Sequence, residues 1–334
     1  MRTRRSILLA GLGSLGAAAA AARATAQAAP ALEKVGVVVP ANSVFVLSWL
    51  GAKDAGIFAK HGLDVAVDVR PYAGFLAGIP SKQSLVGNYS GLNAIEKINE
   101  GLDWVILGPG LTLVQDIIVR KDAPFKTVAD LRGKKFGTWS TGASGFECVR
   151  VAVLDAFGLD LVKDTQLQQV AAPALLKFLE DGRVDAMVNL SSLTMTAEAA
   201  PDKFRVLFSP NESWKKKTGY PITWASPLVA WRSWVDENPA RAKNFAAAAL
   251  EMLRWLEQPQ NLKQAVKNHG MLAGITTPAA VGEYVDWLDH KDMFMTEWDQ
   301  KAVAAQWTFL DVCKQTGVLK KVPPVNKAAL FVGS

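Results

Sequence analysis

Short β-branched runs alternate with helical patterns along most of the chain after residue 30. The first run covers residues 34–39 and stops at Pro40, and residues 44–59 then have the apolar spacing of a helix. Residues 63–70 alternate between apolar and polar positions, which is typical of a strand. This alternation of strands and helices predicts an α/β protein with a largely parallel sheet.

A second unit with the same alternation begins near Pro124, and from Pro239 onward the pattern is helical almost to the end. The further predicted strands are 83–86, 104–107, 116–120, 135–138, 167–170, 184–189, 204–208 and 226–231. The further predicted helices before residue 239 are 93–99, 145–157, 172–181 and 193–200.

The length of the chain predicts two lobes, because single cores stop growing at roughly 250–300 residues. The order of elements indicates that one lobe is inserted in the other. We expect residues 31–123 and 227–334 to form lobe I and residues 124–226 to form lobe II, with crossings near 120–124 and 224–226. A chain of this kind closes like a hinge on a ligand held between its lobes.

The first 26 residues have the pattern of a cleaved export signal rather than of part of the fold. Arg4 and Arg5 precede an apolar run rich in Ala and Gly, and Ala24-Thr25-Ala26 is an A-x-A cleavage site. The Arg-Arg string resembles the twin-arginine export motif, whose substrates cross the membrane already folded. A membrane-spanning helix is the alternative, but it needs about 20 strongly apolar residues.

Cleavage is expected after Ala26, or after Ala28, and would leave the protein in the periplasm. Neither Cys148 nor Cys313 lies near the cut, so no lipid anchor is expected. These two cysteines either form a disulfide or are buried free thiols, and their helix-like surroundings favour free thiols.

Removal of the signal changes the charge. The whole chain has 37 Lys and Arg against 31 Asp and Glu, a formal charge of +6. Four arginines leave with residues 1–26, so 33 basic residues face 31 acidic ones and the charge falls to +2. A near-neutral protein gives no reason to expect a nucleic acid or another polyanion as partner.

Signatures of catalysis and of metal binding are missing from the sequence. Gly142-Ala-Ser-Gly145 has its second glycine one residue too early for a nucleophile elbow, and no P-loop, G-x-G-x-x-G or H-E-x-x-H occurs. His61, His269 and His290 are scattered without a second ligand at metal spacing. The sequence therefore predicts no enzyme activity, no metal and no cofactor.

The strongest local candidate for a binding site is the segment 138–144, between a predicted strand and a predicted helix. Small residues allow close approach of a ligand, and the first N–H groups of a helix attract anions such as a carboxylate or sulfonate. An ordinary N-cap is the alternative. The candidates in this segment are Trp139, Ser140, Thr141 and Ser144.

Other candidates follow further predicted strands, at the edge where open α/β sheets bind ligands, or lie at a predicted crossing. They are Ser43, Phe45, Tyr72, Asn88, Tyr89, Ser90, Asn189 and Trp224.

Three ordered motifs are similar to a known family. Residues 52–65, with Gly56-Ile-Phe and Gly62-Leu-Asp-Val65, resemble the "A…G-F…GLdV" signature of periplasmic solute-binding proteins of ABC transporters. Residues 127–137 resemble their "ADLkGKkva" segment, and residues 176–186 resemble "aL..G.vDA". The most similar group comprises the nitrate, sulfonate and taurine binders and the pyrimidine-precursor binders.

The resemblance implies a type II periplasmic binding protein with two α/β lobes, two crossing strands and a ligand cleft. It also implies a monomer that delivers a small molecule to an ABC permease with a separate ATPase subunit. Contacts carried over from the family come from the loops that hold Ser43, Phe45, Tyr89, Ser90, Trp139, Ser140, Thr141, Ser144 and Asn189.

Two questions stay open at this point. The candidate loops contain no Arg or Lys, so an anion would be held by backbone and hydroxyl donors, whereas Phe45, Tyr72, Tyr89 and Trp139 would suit a planar ring. An enzyme related to a pyrimidine-precursor synthase shares this fold, although its Cys-rich motif and active-site His are not visible here. A binder that feeds a membrane sensor is the third alternative.

Overall fold

Three β-sheets form the framework of the protein. The computed structural model describes residues 31–275, 282, 285–287, 291 and 293–333. The predicted export signal at residues 1–26 and His290 lie outside the described residues. The strands are β1 (Glu33–Pro40), β2 (Leu63–Arg70), β3 (Val86–Asn88), β4 (Trp104–Leu111), β5 (Ile117–Arg120), β6 (Lys135–Thr138), β7 (Gln166–Gln169), β8 (Ala186–Val188), β9 (Phe204–Phe208) and β10 (Ser226–Trp231).

Helices cover these sheets. They are α1 (Val44–Asp54), α2 (Ile57–Lys60), α3 (Tyr72–Gly78), α4 (Gly91–Asn99), α5 (Ser144–Phe157), α6 (Ala172–Glu180), α7 (Ser191–Glu198), α8 (Pro210–Thr218), α9 (Arg232–Glu237), α10 (Pro239–Leu256), α11 (Pro259–His269), α12 (Gln300–Gln315) and α13 (Val325–Ala328). A 3₁₀ turn covers Val128–Leu131. No helix in the described part of the chain has the length and apolar character of a membrane span.

The first lobe contains two of the sheets. Strands β1 and β2 pair in parallel along their whole length, from Glu33 opposite Leu63 to Pro40 opposite Arg70. Strand β10 lies between β3 and β4 and is antiparallel to both. Strand β4 is buried at all eight positions, as expected for a strand covered on both faces.

The second lobe contains one five-stranded sheet in the order β7-β6-β8-β5-β9. Strand β6 is parallel to β7 and β8, whereas β5 is antiparallel to β8 and β9. The predicted α/β fold with two lobes is confirmed.

The sheets divide earlier along the chain than the predicted crossing at residues 120–124. Strand β5 already belongs to the sheet of the second lobe, so the chain passes between the lobes in the segment 112–116 that joins β4 to β5. The return passage leads through residues 219–225 into β10, beside the predicted crossing at 224–226.

The helix predicted over residues 44–59 is two helices. Gly56 adopts a left-handed conformation with φ of 72°, which separates α1 from α2. This conformation costs glycine little and other residues much more, so the break is encoded by one residue.

The C-terminal part of the chain packs against both lobes. Helix α12 contacts α5 of the second lobe, and Cys148 and Cys313 are buried in the same apolar cluster as free thiols. Burial raises the pKa of both thiols, which keeps them protonated and unreactive.

A buried cluster of three charges joins the first crossing, the second lobe and the C-terminal part. Lys291 Nζ lies 2.5 Å from Asp116 Oδ2 and 2.9 Å from Glu198 Oε2, and Trp287 Nε1 donates to Glu198 at 2.6 Å. Two carboxylates share one ammonium group. Burial and the charge of Asp116 raise the pKa of Glu198 from 4.5 to about 7, although Lys291 opposes the shift.

We predict that Glu198→Gln alters how stability depends on pH. The folded protein binds a proton at Glu198 up to pH of about 7, whereas the unfolded chain releases it near 4.5. This contribution to stability is therefore present below pH 4.5 and is lost as the pH rises to about 7. The melting temperature of the wild type relative to Glu198→Gln should fall by a few degrees between pH 5 and 8.

Glu180→Gln is the matched control. Glu180 is exposed and bonded to Lys203, and this hydrogen bond lowers its pKa, so it stays ionised throughout that range. The difference in melting temperature between Glu180→Gln and the wild type should stay constant between pH 5 and 8. An equally flat difference for Glu198→Gln would contradict the prediction.

Candidate functional site

A cavity of about 60 Å³ lies between the two lobes. The first lobe contributes the end of β1, the start of α1 and helix α3, and the second lobe contributes residues that follow β6 and β8. Both passages between the lobes reach it as well. The lining residues are Pro40, Ser43, Phe45, Tyr72, Phe75, Gln115, Trp139, Gly145, Leu190, Ser191, Ala225 and Ser226.

The cavity wall is neutral and rich in aromatic groups. In the described part of the chain, no Asp, Glu, Lys, Arg or His lines it. Tyr72 is the only titratable lining residue among those described, and burial raises its pKa to about 12 against the opposing hydrogen bond with Ser90. Its hydroxyl therefore stays protonated at physiological pH.

Three polar atoms in the cavity-lining residues have no hydrogen-bond partner among the described residues. They are Trp139 Nε1, Gln115 Oε1 and Ser226 Oγ. Trp139 and Ser226 are only 8% and 5% exposed. A buried polar group without a partner costs about 1–3 kcal/mol, so these three side chains are candidates for contact with a ligand.

Two helices of eight or more residues begin at the cavity without a side-chain cap. Helix α1 begins after Ser43, whose hydroxyl donates to the carbonyl of Pro40 at 2.7 Å instead of capping the helix. Helix α7 begins at Ser191, and its N-cap residue Leu190 has no capping side chain. The partial positive charge of such helix ends favours an electronegative ligand.

Two other helix starts are capped by each other across the lobe boundary. Ser90 Oγ accepts a hydrogen bond from the backbone N–H of Ser144 at 3.0 Å. Ser144 Oγ accepts from the N–H of Leu92 at 2.9 Å, and the two hydroxyls bond to each other at 2.7 Å. Each serine thus caps the helix of the opposite lobe, and we call this arrangement the reciprocal cap.

A second hydrogen bond joins the lobes near the start of α7. Ser192 Oγ donates to the carbonyl oxygen of Asn42 at 2.9 Å, and the N–H of Asn42 donates to the carbonyl of Leu272. Asn42 has a φ of 55°, a left-handed conformation that asparagine tolerates better than most residues. The reciprocal cap and this bond hold the lobes together at two separate places.

Ser43, Phe45, Tyr72 and Trp139 are the sequence-predicted residues that the structure brings together at the cavity. Ser90 and Ser144 lie in the reciprocal cap. Thr141 is exposed, and both its N–H and its hydroxyl donate to Gln169. Ser140, in the same loop, does not line the cavity in the structure.

The remaining predicted residues support the framework instead of lining the cavity. Asn88 accepts from Trp49 Nε1 at 2.8 Å and donates to the carbonyl of Ser226 at 2.9 Å, so it ties α1 to the start of β10. Tyr89 packs edge-on against Trp104. Asn189 and Trp224 are almost fully buried, and they donate to the carbonyls of Ala172 and Gln306.

Sequence reasoning missed Gln115, on the first passage between the lobes, and Ser226, the first residue of β10. Position in a crossing segment could have identified these residues, but from that position Trp224 was selected. Gly110 allows the close approach that fixes Ser226, because a Cβ there would lie 1.7 Å from the Ser226 carbonyl oxygen.

Comparisons with known proteins identify the family and the fold. The family model described as "NMT1/THI5 like" matches residues 46–261, well over half of the chain. No curated protein matches the sequence. The family match confirms the resemblance that the three sequence motifs indicate.

Solved structures show the same fold. The periplasmic aliphatic sulphonate binding protein SsuA from Escherichia coli is 19% identical with a TM-score of 0.68, over 90% of this chain and 92% of that chain. The alkanesulfonate-binding protein SsuA from Xanthomonas axonopodis pv. citri, bound to MOPS, is 15% identical with a TM-score of 0.69, over 90% and 99%. The desulfurization enzyme DSZB is 15% identical with a TM-score of 0.59, over 89% and 96%.

We predict that Ser144→Ala destabilises the folded protein through the reciprocal cap. The substitution leaves the buried N–H of Leu92 without its acceptor and removes the partner of Ser90. The free energy of unfolding in urea should fall by about 1–3 kcal/mol.

Ser81→Ala is the control for the loss of a serine hydroxyl. Ser81 Oγ bonds to the carbonyl of Ala77 on an exposed surface, and its loss should change the unfolding free energy by less than about 0.5 kcal/mol. If both substitutions lowered the free energy of unfolding equally, the reciprocal cap would stabilise the protein no more than an exposed serine hydroxyl does.

Proposed function

We propose that this chain, which belongs to the NMT1/THI5-like family, is an extracytoplasmic solute-binding protein of an ABC importer. It captures a small molecule between its lobes and delivers it to a membrane permease, while a separate subunit hydrolyses ATP. Membership of the family and the periplasmic sulfonate binders of the same fold support this role.

The observation that carries the proposal is the set of unpaired polar atoms at the interlobe cavity. Trp139 belongs to the second lobe, Gln115 lies on the first passage between the lobes, and Ser226 is the first residue of β10 in the first lobe. A ligand that bonds to all three therefore contacts both lobes and the first passage between them. Ligand binding then stabilises the closed arrangement, which is the form a permease distinguishes from the open one.

An enzyme of the same fold is the main alternative, because DSZB shares the architecture. The described lining of the cavity contains no Cys or His to act as nucleophile or base. Cys148 and Cys313 are buried in the apolar core with raised pKa values. Incubation with an aromatic sulfinate tests this alternative, since its consumption by the purified protein would favour an enzyme.

Presentation of the ligand to a membrane sensor is the other alternative to transport. Genes for a permease and an ATPase beside this one would support import, whereas a sensor kinase without them would support sensing. Both roles use the same binding event at the cavity.

Two buried tryptophans provide a matched pair of predictions. Trp139 has an unpaired indole N–H at the cavity, whereas the N–H of Trp224 donates to Gln306 at 2.8 Å in the core. A thermal-shift screen of sulfonates, carboxylates, nitrate, bicarbonate and aromatic heterocycles first identifies a stabilising solute. At a hundredfold excess over its Kd, this solute should raise the free energy of unfolding by about 2.7 kcal/mol.

Trp139→Phe should then weaken binding of that solute about tenfold, the factor that corresponds to a lost hydrogen bond of 1.4 kcal/mol. Trp224→Phe should lower the melting temperature of the free protein further than Trp139→Phe does, with unchanged affinity. Calorimetric titration and thermal unfolding measure the two effects. If Trp139→Phe left the affinity unchanged and lowered the melting temperature more than Trp224→Phe does, Trp139 would not belong to the binding site.

The export route is a further part of the proposal. Residues 1–26 act as a twin-arginine signal, and cleavage releases the mature chain into the periplasm. Arg4→Lys together with Arg5→Lys should leave uncleaved precursor in the cytoplasm, because the export machinery reads the arginine pair. Cell fractionation and immunoblotting measure this, and normal maturation of the double variant would refute the assignment.

A further inference from the structure

We infer that the buried cluster of Asp116, Glu198 and Lys291 is a pH-dependent latch that holds the two lobes together at acidic pH. This inference rests on the proposed function, because a solute-binding protein alternates between an open and a closed arrangement. None of the three residues is in the described lining of the cavity, so the latch acts on closure and not on the choice of solute.

The two carboxylates of the latch belong to the second lobe. Asp116 directly precedes β5, and its Oδ1 accepts a hydrogen bond at 2.6 Å from the hydroxyl of Ser209, which follows β9. Glu198 is the last residue of α7. Both carboxylates contact the ammonium group of Lys291, and Glu198 also accepts from the indole of Trp287.

The ammonium group and the indole are held on the first lobe. Trp287 packs in the same apolar cluster as β1, α1 and α10. Beyond Lys291, the carbonyl of Met293 accepts from the N–H of Thr112 at 2.9 Å, and Phe294 forms a β-bridge with Leu111 of β4. Separation of the lobes therefore draws both groups away from Glu198, and water takes their place.

The latch has one negative charge in excess when all three groups are ionised. The side chains of Asp116, Glu198 and Lys291 are only 2%, 12% and 18% exposed, so the excess charge is costly in the closed arrangement. Burial lowers the pKa of Lys291, but the two carboxylates raise it overall, so the ammonium group stays charged. A proton on Glu198 makes the latch neutral.

Closure of the lobes is therefore coupled to proton uptake. Burial and the charge of Asp116 raise the pKa of Glu198 to about 7 in the closed arrangement, whereas in the open one water surrounds the carboxylate and its pKa returns towards 4.5. The contribution to closure is fully present below pH 4.5 and is lost as the pH rises through about 7. A solute that binds the closed arrangement is then held in acid and released as the pH rises.

The charged side chains on the elements that pack against α7 have other partners. These elements are β5, β9 and α6. The side chains that donate to backbone carbonyls are Arg120 and Arg205, and those that form exposed ion pairs are Lys177 with Asp181 and Glu180 with Lys203. Asp286, beside Trp287, is exposed. Among the described residues, the proton taken up on closure is therefore assigned to Glu198.

Hydrogen exchange of the ligand-free protein, followed by NMR at several pH values, tests the inference. The N–H groups of Leu92 and Ser144 bond across the lobe boundary to serine hydroxyls, so they exchange when the lobes separate. Their protection, relative to an unstructured peptide at the same pH, should fall at least about tenfold between pH 5 and 8, since each unit of pKa difference changes the closing equilibrium up to tenfold.

One further amide and three variants complete the experiment. Val229, on β10 between β3 and β4, reports unfolding of the whole protein and should be better protected than Leu92 at every pH. Glu198→Gln should make the protection of Leu92 constant between pH 5 and 8. Glu180→Gln and His290→Gln should keep the dependence of the wild type; His290 precedes Lys291 in the sequence, and histidine titrates at about pH 6.5.

The outcomes separate the latch from the proposed function. Constant protection of Leu92 and Ser144 in the wild type overturns the inference, and so does protection equal to that of Val229. A pH dependence that persists in Glu198→Gln, or that disappears in His290→Gln, also overturns it. If Glu198→Gln does not fold, the wild type and His290→Gln still decide. No solute is needed, so a thermal-shift screen without a binder would count against the proposed function alone.

Discussion

The N-terminal ends of α4 and α5 carry backbone N–H groups that their own helices cannot satisfy, and the two lobes meet where these ends face each other. Ser90 and Ser144 exchange their capping roles, so each helix is completed only when the lobes are in contact. This constraint sets the geometry of the cavity. It brings the loop after β6, with Trp139, opposite the segment after β2, with Tyr72 and Phe75.

The reciprocal cap also determines which helix ends are left for a ligand. The first N–H of α5 is already bonded to Ser90, and the N–H of Thr141 is bonded to Gln169. The sequence predicts that N–H groups of segment 138–144 bind an anion. In the structure, two of these N–H groups already donate to side chains of the protein itself. Helices α1 and α7, whose first turns lack side-chain caps, begin at the cavity.

The α/β architecture could be predicted from the sequence because it depends on local patterns of apolar and polar residues. Alternation of strands and helices, and residues at strand ends such as Ser43 and Tyr72, follow from periodicity and from the rule that ligands bind at the ends of strands. Gly56 shows where prediction from apolar periodicity fails, since one left-handed residue splits a helix whose apolar pattern is continuous.

Partners that are distant in sequence could not be predicted in this way. Ser90 and Ser144 were recognised as site candidates, but their bond to each other depends on how two lobes dock. Asn88 and Trp224 have the composition and position of ligand-binding residues, yet their polar groups are used by Ser226 and Gln306 in the framework. Gln115 was missed because a single glutamine in a crossing segment has no pattern around it.

The neutrality of the cavity depends on the buried charges that lie beside it. Asp116 follows Gln115 directly, and an unpaired carboxylate at that position would place a negative charge beside the cavity. Lys291 and Ser209 bind both oxygens of Asp116, and Lys291 reaches Glu198 of the second lobe with the same ammonium group. One lysine therefore pairs with two carboxylates and joins the C-terminal part to both the first passage and α7. The described wall of the cavity contains no charged side chain, because these charged groups pair with one another behind it.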